Sequence, residues 1–135
     1  MFDRNEIVMS AHDAAMLSAV LATLSPREAL LPGAAGELAE MLAHATLVPR
    51  NALSRDAIGL DAEVTYVELP RGTTRTVRLV HPAASDPAAA RISVFAPVAR
   101  ALLGRRVGAR VPVALPDAEI DELHVVSVRH ARRPS

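Results

Sequence analysis

The sequence contains no cysteine, no tryptophan and no lysine among its 135 residues. Without cysteine there can be no disulfide framework, no thiol nucleophile and no zinc site built on thiolates. Without lysine, every basic side chain other than histidine is an arginine, which a GC-rich genome explains more simply than selection for anion binding. The lack of cysteine fits a protein of the reducing cytoplasm.

Aromatic residues are almost absent as well, since the sequence has only Phe2, Tyr66 and Phe95. Modules that recognise single-stranded RNA stack bases on exposed aromatic side chains, so this shortage argues against them. It also argues against a deep ligand pocket with aromatic walls.

Long apolar runs are missing too, because no stretch approaches the roughly 18 residues that a membrane span needs. The N-terminal residues "MFDRNEIVMS" have acids where a signal peptide has basic residues. We therefore expect a cytoplasmic protein that does not bind membranes. The length predicts one ordinary domain with a small appendage.

The formal net charge is zero, but the two signs are unevenly distributed along the chain. Residues 1–48 contain two arginines and six acids, whereas residues 49–135 contain thirteen arginines and nine acids. The sequence thus predicts an acidic N-terminal part and a basic C-terminal part.

The acidic part has the pattern of two amphipathic helices. Ser10 and Asp13 fit an N-cap with an acid three positions later, and apolar residues then recur at helical spacing until the helix ends near Leu24. A second run has Glu37 in its first turn and stops before Pro49. Two such short helices should pair as an antiparallel hairpin. The expected apolar stripes are Met16, Leu17, Val20, Leu21 and Leu24 in the first helix, and Leu38, Met41, Leu42 and Ala45 in the second.

From Ala57 onward the period changes to two, which indicates β-structure. A hairpin with its turn at Pro70–Thr73 is followed by a strand at Arg91–Phe95 and by a short helix that begins at Pro97 and ends at Gly104. Two strands close the chain, at Ala109–Leu115 and Glu122–Arg129. The order predicts an α+β protein with an antiparallel sheet wrapped around one short helix, divided into units 1–50 and 51–135.

The residues offer little to catalysis or metal binding. The five histidines include no pair at the i, i+4 spacing of two helical ligands. His81 and His124 could meet across strands, but partly exposed histidines of a sheet are far commoner than metal ligands. Nucleophile-elbow, P-loop and dinucleotide-binding motifs are all absent. The acids Asp117, Glu119, Asp121 and Glu122 are more typical of a solvated turn than of a cation site. We therefore predict no catalytic residue, no metal and no cofactor.

Four arginines form an expected basic edge beside the short helix, and we interpret it as either a solubilising face or a docking patch for an acidic partner. Zero net charge and the lack of nearby aromatics favour protein docking, with no direct sequence-specific binding of nucleic acid. The four residues are Arg100, Arg105, Arg106 and Arg110.

The stretch "ISVFAPVARALLGRRVGARV" resembles the C-terminal domain of the GreA and GreB transcript-cleavage factors, and more closely the related Rnk family, known as regulators of nucleoside diphosphate kinase. "TVRLVHPA", residues 76–83, is similar to a Rnk strand, and the helical hairpin ahead of the sheet matches in order and size. The elements that carry the pattern are Ile92-Ser93-Val94, Phe95-Ala96, Pro97, Leu102-Leu103-Gly104 and Val107-Gly108.

The resemblance implies an FKBP-like domain that carries a truncated coiled coil and binds RNA polymerase at the rim of its secondary channel. The docking corner, which contacts a coiled coil of the β′ subunit, maps to Phe95, Ala96 and Pro97. An apolar pair before the proline departs from the polar pair of Gre factors and is closer to Rnk. We expect Phe95 to face the partner, flanked by Arg100, Arg105 and Arg106.

The tip between the two helices distinguishes this chain from a cleavage factor. "LSPREALLPGAAGE" contains Glu28 as its only acid before Glu37, where a cleavage factor presents paired acids. One carboxylate is poorly suited to holding a second catalytic metal. A helix of about 15 residues also spans only ~22 Å. We therefore predict a non-enzymatic regulator, monomeric, that occupies the polymerase site and competes with Gre-type factors.

Three alternatives remain open at this point. An FKBP-like fold allows peptidyl-prolyl isomerase activity, a Gre-like fold allows transcript cleavage, and an α+β domain of this size also suits a general protein-interaction module. DNA binding is a term for the family as a whole and is not a specific prediction for this sequence. Regulation of nucleoside diphosphate kinase, if it occurs, is as well explained by an indirect effect through transcription as by direct contact.

Overall fold

The computed structural model describes residues 6–23, 33–113 and 120–130. Three helices, seven strands and three short 3₁₀ turns are found in these ranges. The 3₁₀ turns are Arg50–Ala52, Pro82–Ala84 and Pro87–Ala89. The helices and strands are β1 Val8–Ser10, α1 Ala11–Ala22, α2 Ala34–His44, β2 Thr46–Val48, β3 Glu63–Leu69, β4 Thr73–Val80, β5 Arg91–Ser93, α3 Pro97–Leu102, β6 Arg110–Pro112 and β7 Glu122–Arg129.

Helix α1 begins as the sequence predicts, because the Ser10 hydroxyl accepts a hydrogen bond from the Asp13 backbone N–H at 3.0 Å. Such a cap satisfies one of the donors that a helix N-terminus leaves without a partner. The Asp13 carboxylate accepts a bond from the Leu60 N–H at 3.1 Å, so it fastens the helix to a loop 47 residues away.

The apolar stripes of the two helices are largely confirmed. Leu17, Val20, Leu38 and Met41 are buried, but Met16 is 44% exposed and does not belong to the core. Leu24, the predicted end of the first helix, lies outside the described residues, and α1 ends at Ala22. The two helices contact each other.

Two short strands bracket the helices and were not predicted. β1 runs parallel to β2, with Val8 opposite Thr46 and Ser10 opposite Val48. Three-residue strands carry too few residues for a period of two to be recognised. They nevertheless hold the start of α1 beside the end of α2.

The main sheet has five strands in the order β5-β4-β3-β7-β6. The predicted hairpin is confirmed, since β3 and β4 pair antiparallel from Glu63–Arg78 to Glu68–Thr73. The expectation of an entirely antiparallel sheet is wrong, because β5 pairs parallel to β4. The connection between them contains two 3₁₀ turns, and β5 then runs in the same direction as β4.

One hydrophobic core joins the helices to the sheet. Leu17 and Leu38 of the helices, Val64 and Leu123 of the sheet, and Leu102 of α3 are all completely buried within it. Burial of this kind supplies most of the favourable free energy of folding, at about 25 cal/mol per Å² of apolar surface. The helical part and the sheet part therefore share their packing.

Several predicted chemical clusters can be placed against this fold. His124 lies opposite Val67 of β3 and Arg110 of β6, while His81 follows the end of β4, so the register does not bring the two histidines together. Asp117 and Glu119 lie outside the described residues. Within the described ranges, no three histidine or acidic side chains come close enough to hold a metal ion.

Candidate functional site

The corner between β5 and α3 is built by local hydrogen bonds. The Ser93 hydroxyl accepts from the Phe95 N–H at 3.1 Å, and the Ser93 carbonyl accepts from the Ala96 N–H at 2.9 Å. Pro97 then occupies the first turn of α3, where its fixed φ suits the helix and its missing N–H costs nothing. These contacts explain why a serine and a proline flank the corner.

The side chains of the corner divide between the core and the surface. Pro97 is exposed and Ala96 is half-buried. Phe95 is only 6% exposed and packs in the hydrophobic core, so the expectation that it faces a partner is wrong. The ring belongs to a core whose members come from distant parts of the chain, which a local sequence pattern does not reveal.

Helix α3 is fixed at its far end by glycine. Gly104 adopts φ 82°, in the left-handed region that an L-residue with a side chain adopts only at a cost. Its N–H donates to the Ile58 carbonyl at 2.9 Å, and its own carbonyl accepts from the Val8 N–H at 3.0 Å. Gly104 therefore ends α3 and attaches β1 to it.

Two of the four arginines of the expected basic edge form ion pairs within the chain. Arg100 extends from α3 to Glu37 of α2, with 3.0 Å between Nη1 and Oε2, and its side chain is only 15% exposed. Arg110 pairs with Glu122 across the β6–β7 ladder at 3.6 Å. Arg100 is thus an internal bridge between two helices, and its place in an open docking patch is a correction to the sequence prediction.

The two remaining arginines of the edge are half-buried. Burial lowers the pKa of Arg105, because removing a guanidinium from water disfavours its charged form. Arg106 forms a backbone bridge with Ala57. Both residues follow Gly104 in the sequence. They therefore lie past the C-terminal end of α3, whereas Pro97 is at its N-terminal end.

A surface cleft of about 450 Å³ lies beside the corner. The Arg100–Glu37 ion pair belongs to its wall, and the other lining side chains are predominantly apolar. Of the lining residues, only Pro97 and Arg100 were predicted site residues, because most of the others come from elements distant in the sequence. The additional lining residues are Ile7, Met41, Ala101, Pro112 and Val113.

The two aromatic residues of the described sheet region do not line this cleft. Tyr66 is 3% exposed, and burial together with the Glu68 carboxylate raises its pKa. With Tyr66 and Phe95 both in the core, the isomerase alternative gains no support from the described surface. Glu28, the predicted acid of the hairpin tip, lies outside the described residues.

Comparison with known proteins assigns the family. Residues 53–130 match the model of the GreA/GreB transcription elongation factor C-terminal domain, and this range covers β3 to β7 with the corner and α3. This chain belongs to the GreA/GreB family.

Individual GreA/GreB relatives agree with that assignment. The GreA transcription elongation factor of Leuconostoc mesenteroides is 33% identical over 101 residues, 75% of this chain and 63% of that protein. The GreA factor of Geobacillus kaustophilus is 37% identical over 83 residues, 62% of this chain and 52% of that protein. The matched regions therefore span about half to two thirds of these relatives' lengths.

A solved structure of a GreA/GreB elongation factor from Nitrosomonas europaea matches the whole fold. It superposes with a TM-score of 0.74 at 27% identity, over 93% of this chain and 98% of that one. The Gfh1 structure of Thermus aquaticus, at 20% identity and a TM-score of 0.50, shares the fold alone. The α+β arrangement, with helices ahead of the sheet, is thus that of a GreA/GreB structure.

Proposed function

We propose that this protein is a Rnk-type, non-enzymatic regulator that binds RNA polymerase near its secondary channel and competes with Gre-type factors without stimulating transcript cleavage. Its membership in the GreA/GreB family, whose relatives are named transcription elongation factors, supports the link to transcription. The observation that carries the proposal is the exposed Pro97 corner, which lies within the family-matched region and beside a mostly apolar cleft.

The docking surface that we propose differs from the one that the sequence suggested. It consists of Ala96 and Pro97 at the corner, the neighbouring cleft, and Arg106 beyond α3. Phe95 supports the corner from within the core, and Arg100 shapes the cleft wall through its pair with Glu37. A β′ coiled coil would lay apolar side chains into the cleft, a recurring mode of helix recognition.

The short helices support the absence of cleavage stimulation. With 12 residues in α1 and 11 in α2, each helix spans only about 17 Å at the standard rise per residue. The segment between them offers Glu28 as its single acid. A pair of this length with one tip carboxylate is poorly equipped to bring a second metal to a distant active site.

Competition for RNA polymerase tests the docking surface. We expect the intact protein to displace a labelled Gre factor from polymerase at low salt. The variants Pro97→Asp and Arg106→Glu should each weaken displacement at least about tenfold, because the first places a charge in an apolar contact and the second sets a negative charge against an acidic partner. Arg71→Glu, which places the same charge in the exposed β3–β4 turn, is the matched control. Failure to bind polymerase under conditions in which a Gre factor binds would contradict the proposal.

Cleavage of stalled transcripts tests the second half of the proposal. Adding the protein to a backtracked elongation complex should release no short 3′ fragments and should slow the cleavage that a Gre factor produces. Release of fragments by this protein alone would show that the hairpin does reach the active site.

The remaining finer assignments belong to the same proposal. We propose units 1–50 and 51–135, a truncated coiled coil ahead of an FKBP-like domain, a monomeric state and a cytoplasmic location. In the described part of the chain, the longest helix has 12 residues, and none is long and apolar enough to cross a membrane.

A further inference from the structure

A second cleft lies at the start of α1, built by elements other than the Pro97 corner and α3. Its volume is about 280 Å³, close to the lower limit of ordinary ligand sites. The walls come from the beginning of α1, the 3₁₀ turn after β2 with the loop that follows it, the loop before β3, and the end of β7. The lining residues are Ser10, Asp13, Arg50, Leu53, Ser54, Arg55, Leu60 and His130.

The floor of this cleft holds a buried carboxylate. Asp13 is more than nine-tenths buried, and its Oδ2 accepts the Leu60 N–H. Among the described residues, its second oxygen has no hydrogen-bond partner. The backbone of Gly59 approaches so closely that a Cβ there would lie 2.5 Å from Oδ2. A carboxylate held this firmly presents its second oxygen as a fixed acceptor for a hydroxyl or amine.

The rim of the cleft is cationic. Arg50 and Arg55 are exposed, and neither forms an ion pair with another described residue, in contrast to Arg75, Arg78, Arg100 and Arg110. His130 lies beside them, with its Nε2 3.2 Å from the Arg55 carbonyl oxygen. Planar guanidinium groups bind phosphate through two parallel hydrogen bonds, so two of them around a small cleft suit a phosphate group.

We propose that this cleft binds a small phosphomonoester with a hydroxylated carbon skeleton, with the phosphate at Arg50 and Arg55 and a hydroxyl donating to Asp13. Inorganic phosphate does not fit as well, because it lacks the carbon skeleton that carries a hydroxyl from the arginines to Asp13. No phenylalanine, tyrosine or tryptophan lines the cleft, and the ring of His130 is directed to the Arg55 carbonyl, so we assign recognition to the sugar phosphate and not to a base. This proposal is independent of polymerase binding.

Titration followed by amide NMR of the intact protein tests the proposal with five small molecules. Ribose 5-phosphate should shift the amide signals of Leu60 and residues 54–56 saturably, inorganic phosphate should bind at least about tenfold more weakly, and ribose alone should bind least. The tenfold step corresponds to the loss of one hydrogen bond to a charged group. Adenosine and guanosine 5′-monophosphates should bind no more tightly than ribose 5-phosphate, which separates a sugar phosphate from a nucleotide.

Variants assign the roles of the residues. Arg50→Gln and Arg55→Gln should each weaken ribose 5-phosphate at least about tenfold, whereas Arg71→Gln should change nothing. Asp13→Asn should remove the preference for ribose 5-phosphate over phosphate, with thermal unfolding confirming that the variant is folded. The proposal would be overturned if the unaltered protein bound ribose 5-phosphate and inorganic phosphate equally, or if no amide signal shifted saturably. Tighter binding of a nucleotide than of ribose 5-phosphate would also overturn it, as would binding of ribose 5-phosphate that is unchanged in both arginine variants.

Discussion

Substituting Gly104 by alanine tests how the chain attaches its N-terminal strand to the family-specific helix. A Cβ at this position would collide with the Cγ2 of Ile7, the residue that leads into β1. The backbone there also has φ 82°, so alanine is strained even before the collision is counted. Both effects oppose the same substitution, but they can be separated.

The expected cost is the sum of two contributions. Holding a residue with a side chain in the left-handed region costs about 1–2 kcal/mol. Forcing a methyl group into a filled site costs about 1–3 kcal/mol more, because neighbours must move off their preferred positions. We therefore expect Gly104→Ala to lower the free energy of unfolding by about 2–5 kcal/mol, a large share of a typical total of roughly 5–15 kcal/mol.

Gly108→Ala is the matched control. Gly108 has φ 91°, but apart from its two chain neighbours no described residue has a heavy atom within 4 Å of the position that its Cβ would take. Urea denaturation followed by circular dichroism should show that Gly108→Ala loses only the backbone contribution of about 1–2 kcal/mol. The difference between the two variants measures the collision with Ile7.

A double-mutant cycle completes the test. Ile7→Ala removes the colliding Cγ2, so in that background Gly104→Ala should cost about as much as Gly108→Ala. If Gly104→Ala costs no more than Gly108→Ala in the unaltered protein, or costs the same with and without Ile7, the close contact between β1 and the end of α3 is not as described.

Three further substitutions or titrations follow from the same structure. Phe95→Ala should lower the free energy of unfolding by about 3–5 kcal/mol in chemical denaturation, as removal of a core aromatic ring does. A near-neutral effect would contradict the burial of Phe95. Gly36→Ala should raise stability by about 0.5–1 kcal/mol, since Gly36 lies inside α2 with free space around it. Burial and Glu68 raise the pKa of Tyr66, so its unfolded form ionises first; this contribution to stability is present below about pH 10 and is lost as the pH rises through the folded pKa. Because Tyr66 is the only tyrosine, the tyrosinate absorbance follows it directly, and a midpoint at the ordinary value in the folded protein would contradict the assignment.

Local patterns in the sequence were enough to predict most of the regular structure. The Ser10 cap, the β3–β4 hairpin, β7 and the start of α3 at Pro97 were all predicted, because each depends on neighbours within a few residues. The relation to GreA/GreB factors was recognised for the same reason, since the largest part of the pattern is one continuous stretch around α3. The left-handed Gly104 at the end of that stretch was also anticipated and is observed.

The candidate site was predicted only in part. Pro97 is exposed as expected, but Phe95 turned out to be core and Arg100 turned out to be bound to Glu37. The sequence around an apolar residue next to a helix start is the same whether its side chain faces solvent or the core, so the burial of Phe95 could not be predicted from it. A partner for an arginine can likewise come from anywhere in the chain, as Glu37 does from 63 positions before Arg100.

The sequence by itself therefore determined most of the longer helices and strands and the relation to GreA/GreB factors, because these depend on residue types and short spacings. Only the tertiary structure decided the parallel pairing of β4 with β5, the β1–β2 pair, and the two clefts. These features join residues that are far apart in sequence, such as Ile7 with Gly104 and Asp13 with Leu60. Long-range contacts of this kind depend on how all the helices and strands pack together in the folded chain. A short sequence pattern contains only one of the two partners and therefore does not predict the contact.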